Sequence, residues 1–134
     1  MLPVLKKFFT ISDMLKFLSY LNKNVIISGS FILSVILDEN YSNNDIDIYI
    51  DNQTEYIKML KFLVRTNYKL KEDKNLNFHF KYNNKNLIIF VDTWEKINNE
   101  NIKIDIIYCK NNKDLIKDYF DLDIVKNFYN GSDF

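Results

Sequence analysis

At 134 residues, with eighteen basic and eighteen acidic side chains, the chain has no formal net charge, so no global field draws it to phosphate backbones or acidic membranes. A hydrophobic fraction of 47% and an aromatic fraction of 16% exclude a disordered chain and predict one folded domain over residues 1–134. The longest apolar tract, "VIISGSFILSVIL", is too short and interrupted to cross about 30 Å of hydrocarbon. No signal-peptide core opens the chain and the single cysteine, Cys109, cannot form an internal disulfide, so a cytoplasmic protein without a membrane partner is expected.

Met14, Leu15, Phe17, Leu18 and Leu21 recur at helical spacing and predict a first helix from Ser12 to Leu21, with Thr10 or Ser12 as its N-cap. "VIIS", residues 25–28, reads as a short buried strand ended by Gly29, and Ser30 is placed to cap a helix through "FILSVILDE". After the polar loop "NYSNN", the segment "DIDIYID" alternates, with Ile46, Ile48 and Ile50 on one face and Asp45, Asp47 and Asp51 in the opposite series. Asn52 and Glu55 form a capping box for a helix whose apolar stripe is Tyr56, Ile57, Leu60, Leu63 and Val64, ending near Arg65 or Thr66. Lys69, Lys71 and Lys74, with Glu72 and Asp73 among them, read as a solvated loop. "LNFHFKY", the turn "NNKN" and "LIIFVD" predict a hairpin; "IKIDIIY" is a further strand and "KDLIKDYF" a short helix.

The aspartates raise a chemical question. Two carboxylates at i and i+2 of a strand point the same way about 7 Å apart, close enough to share divalent ions between them. Phosphoryl and nucleotidyl transfer need magnesium, which takes a few carboxylate oxygens and leaves its other positions to water and substrate. Asp105 lies inside the apolar segment Ile102, Ile104, Ile106, Ile107, where an unrelieved charge is expensive. It is the candidate for a third acid. Alternating Asp and Ile is equally what any half-exposed strand shows, and Gly-Ser before a helix is a weak phosphate-binding signal on its own. The order strand, Gly-Ser, helix, Asp-x-Asp strand, later strand with one Asp is more specific.

Gly29 and Ser30, then Asp45 and Asp47, then Asp105 make the chain resemble the nucleotidyltransferase-fold superfamily, which includes DNA polymerase β and small stand-alone nucleotidyltransferases. The segment "FDLDIVKNFYNG", from Phe120 to Gly131, resembles uncharacterised members from large DNA viruses and fungi. The resemblance implies an α+β fold, a mixed β-sheet flanked by helices in a single minimal domain. It also implies a nucleoside triphosphate and Mg2+ (or Mn2+) as ligands, with a nucleoside monophosphate passed to a hydroxyl acceptor and pyrophosphate released. In that scheme Asp45, Asp47 and Asp105 are catalytic and hold the metal, while Gly29 and Ser30 hold phosphates. The acceptor, nucleic acid, a protein side chain, a small alcohol or another nucleotide, is not identified. Homodimerisation to complete the pocket, recruitment of a partner, and a catalytically inactive nucleotide-binding or protein-interaction module all stay open.

Other residues tempt less. His79, the only histidine, lies on the polar face of its strand and reads as a surface group. Trp94 reads as a cap on the edge of the core before a base-stacking platform. Asp51 lies about 13 Å from Asp45 at strand spacing and is left out of the site. Asp121 and Asp123 read as helix-capping groups.

Overall fold

In a computed structural model, the structure describes residues 5–28, 45–73, 88–110, 128–129 and 131. Its elements are α1 (Ile11–Ser19), β1 (Val25–Ser28), β2 (Asp45–Ile50), α2 (Gln53–Arg65), β3 (Tyr68–Asp73), β4 (Ile88–Lys96), β5 (Asn99–Cys109) and β6 (Phe128–Tyr129). The expected helices after Ser30 and in 113–120, the hairpin arm at 76–82, Gly29, Ser30, Lys74, His79, Asp121 and Asp123 lie outside the described residues.

The strands form one mixed sheet in the order β3-β4-β5-β2-β1-β6. β2 and β5 run parallel, and the other described pairs are antiparallel. This is the α+β fold with a mixed sheet and helices.

Local chemistry sets the helix ends. Thr10 accepts from the Asp13 N–H to open α1, and Asn52 Oδ1 accepts from the Glu55 N–H at 3.0 Å to open α2. α2 closes where Thr66 turns its N–H onto Phe62 and Leu63, and Asn67 follows at φ 70°. Asparagine tolerates that left-handed conformation better than most residues. Another asparagine, Asn98 at φ 74°, makes the tight turn between β4 and β5. Gly131, at φ +96°, lies against Leu21, whose carbonyl oxygen would sit 2.5 Å from any added Cβ.

Both described helices bury apolar side chains against one face of the sheet. Met14 and Phe17 of α1 and Met59, Phe62 and Leu63 of α2 meet Ile46, Ile48, Ile50, Ile102, Ile104 and Ile106. Phe9, Phe17, Tyr20 and Tyr68 surround this cluster: Phe62 has Phe9 at 5.4 Å, Tyr20 at 5.3 Å and Phe17 at 6.2 Å between ring centroids. The buried Tyr68 hydroxyl donates to the Phe8 carbonyl at 2.7 Å. The observed α2 stripe is rotated from the expected one. Met59 and Phe62 are buried, while Ile57 and Val64 are exposed, because the helix presents Tyr56, Met59, Leu60 and Leu63 to the sheet.

Two expectations are corrected. Lys69 and Lys71 belong to strand β3 and not to a solvated loop. Among the described residues their segment pairs with β4 alone, and its charges suit the edge of a sheet. β4 and β5 extend beyond the expected strands to a hairpin turning at Ile97 and Asn98, since Lys96 pairs with Asn99.

The second face is divided. Ile26, Tyr49, Val91, Ile107 and Cys109 are buried there, whereas Asp45, Asp47, Lys103 and Asp105 of the same face are exposed or half-buried. Burial, and secondarily the charge of Asp51, pushes the Cys109 thiol well above its ordinary value of 9.0; burial alone does the same to Tyr68, ordinarily 10.0. A folded pKa above the unfolded one means that stability is intact below the unfolded value and falls as pH rises through it. We therefore expect the urea midpoint to drop between about pH 8 and pH 11, and the drop to shrink in Cys109→Val and Tyr68→Phe. A midpoint that stays level across that range in the unaltered protein would contradict the buried state of both groups.

Candidate functional site

Parallel pairing of β2 with β5 brings two of the expected acids together. Asp47 and Asp105 are Cα partners in register, on strands about 4.8 Å apart, and alternation puts both side chains on the face opposite α1 and α2. Asp47 also has Ser28 of β1 as its register partner, and Asp105 has Thr93 of β4. One row thus crosses four strands: Ser28, Asp47, Asp105, Thr93. The Thr93 hydroxyl donates to Asp105 Oδ1 at 2.7 Å, and Thr93 itself is buried.

Two carboxylates directly opposite on neighbouring strands repel, and the Thr93 hydroxyl bond stabilises the charge on one of them. A divalent cation would turn the repulsion into shared coordination. The pair fits magnesium's habit of taking one or two carboxylates and completing its shell with water and phosphate oxygens. Among the described residues, no group of three His, Cys, Asp or Glu is arranged to hold a metal ion.

Asp45, the remaining acid, lies two residues before Asp47 on the same face and is exposed. Its neighbours are different. Asp45 is in register with Lys103, Lys103 with Glu95, and Glu95 with Lys69, so a second row alternates charge across four strands. Lys69 Nζ and Glu95 Oε1 close that row at 3.5 Å, with Glu95 buried. The Asn24 side-chain amide donates to Asp51 Oδ1 at 2.7 Å.

The sequence reading missed a second acidic residue of interest, Asp92. It is buried on the helix-covered face, accepting from the Tyr56 hydroxyl at 2.5 Å. The rings of Phe90 and Tyr108 stack nearby at 5.1 Å, with Tyr56 edge-on to both. The even-numbered period of β4 was the available signal, because it sets Asp92 with Phe90 and Trp94 and against Thr93. The sheet separates Asp92 from the Asp47–Asp105 pair.

Trp94 closes the edge of the core and, with Leu60, Lys61, Val64 and Arg65 of α2, lines an open groove of about 430 Å³. Among the described residues its buried indole Nε1–H has no hydrogen-bond partner.

A family model described as Gad2, Gabija anti-defense 2 family protein, matches residues 4–134. No curated protein and no solved structure matches the chain. The family match overturns the resemblance to the nucleotidyltransferase-fold superfamily, since it assigns almost the whole chain elsewhere. The motifs behind that resemblance have local causes in part. Asp45 continues a row of alternating charge, and the isoleucines between the aspartates serve the core beneath the helices.

Proposed function

Because the chain belongs to the Gabija anti-defense 2 family, we propose that it acts inside the cell against the Gabija defence, and that a metal-dependent nucleotidyl transfer is the chemistry by which it does so. The observation that carries the chemistry is the Asp47–Asp105 pair, two like charges kept in register on adjacent parallel strands. Both lie on the face of the sheet opposite the core that α1 and α2 cover.

In this reading Asp47 and Asp105 hold Mg2+, with Asp45 beside them on the same strand. The bound ion would neutralise triphosphate charge and acidify an acceptor hydroxyl. Thr93 helps hold the Asp105 carboxylate in place by donating its hydroxyl to Oδ1. The acceptor is a nucleic acid or protein of the defence, and modification of it is what disables protection.

A second reading, a non-catalytic protein that binds and blocks a component of the defence, is favoured by one feature. Asp45 is opposite a cation and Asp105 is tied to Thr93, so each carboxylate has a structural use.

The test has two arms. Expression of the chain in cells carrying the Gabija defence is expected to lift protection. Incubation of the purified protein and defence components with α-labelled nucleoside triphosphates and Mg2+ is expected to move label onto one component. Lifted protection with no label moved under any nucleotide selects the binding reading, and protection left intact refutes the anti-defence role.

A further inference from the structure

The groove between α2 and β4 is apolar where it is deep and cationic where it opens. Trp94 and the half-buried Leu60 line it, and the exposed Val64 faces solvent at 62% of its surface. Leu70, half exposed on β3 and in register with Trp94, continues the apolar surface toward the sheet edge. Lys61 and Arg65, four residues apart on α2, stand on the same side of the helix. Neither has a carboxylate within ion-pairing distance among the described residues; Arg65 contacts the Tyr20 hydroxyl at 3.5 Å and lies over the Phe62 ring. On a chain whose formal charges cancel, this is a local cationic rim around aliphatic surface.

We infer that this groove docks an acidic peptide segment of a partner protein, inserting an aliphatic side chain against Trp94 and Val64 while its carboxylates face Lys61 and Arg65. Charge complementarity argues for the acids, and an aliphatic anchor matches the aliphatic lining. A nucleotide fits less well, because a base has polar edges that Leu60 and Val64 cannot satisfy. The groove lies on the helix-covered side of the sheet, away from Asp47 and Asp105, so this docking stands apart from the proposed chemistry.

Trp94 is the only tryptophan, which makes its emission a direct reporter of occupancy. The probes are a synthetic peptide alternating Leu with Asp and Glu, the same peptide with Lys for every acid, the same with Ser for every Leu, and MgATP. A saturable emission change is expected with the acidic leucine peptide alone, weakening with added salt. Lys61→Glu and Val64→Asp, both exposed positions, are expected to weaken it at least about tenfold without moving the thermal midpoint. Equal binding of the Lys peptide, a response to MgATP in place of the peptide, or no saturable change with any probe would overturn the proposal.

Discussion

Replacing Asp47 with Asn is expected to lower magnesium-dependent label transfer by about 10²- to 10³-fold, the scale on which a single preorganised charged or polar group contributes to transfer chemistry. Asp105→Asn is expected to do the same, and the double variant to lose little more, because the two act on one ion. Both changes remove a charge from a like-charged pair, so the urea midpoint is expected to hold or rise. That opposition separates the proposal from a structural role, in which both variants lose stability. In cells, each is expected to restore Gabija protection. If neither substitution changes transfer or protection, the pair is not the site.

Phe62→Ala is expected to cost about 3–5 kcal/mol, the range for deleting a fully buried aromatic side chain. Phe62 is 1% exposed and within ring contact of Phe9, Phe17 and Tyr20, so the cavity opens where α1, α2 and the segment before α1 meet. Against a typical total of about 5–15 kcal/mol, this leaves the protein marginal at 37 °C or unfolded. Urea denaturation followed by circular dichroism checks it. A loss below about 1 kcal/mol would mean that the three rings do not share one core.

Much of the core was readable because its residues obey a period. The isoleucines of β2 and β5 alternate, and Asn52 with Glu55 marks the start of α2 as written in the sequence. The face on which Asp47 and Asp105 lie was equally legible. Their mutual register was not, since nothing local distinguishes Asp105 opposite Asp47 from Asp105 opposite Asp45; pairing partners are set by tertiary contacts. β3 was missed because an edge strand is free to carry Lys69, Lys71 and Glu72, the residues that otherwise signal a loop. The rotation of α2 was missed for a related reason. Ile57 and Val64 are as hydrophobic as their buried neighbours, and only the sheet beneath decides which are covered. The superfamily resemblance failed because a Gly-Ser pair and alternating aspartates carry little information without the fold around them.

The parallel pairing of β2 with β5 has a bearing on when activity can exist. Thr93 and Asp105 belong to one hairpin and meet across a separation of only 12 residues, so that half is assembled by local contacts. Asp47 must be recruited from a distant stretch, at the entropic penalty of closing a long loop, and such crossings are slow. The Asp47–Asp105 pair would then be a late product of folding, absent from any nascent chain that has not yet released β5 and sensitive to every lesion that lets the two strands part.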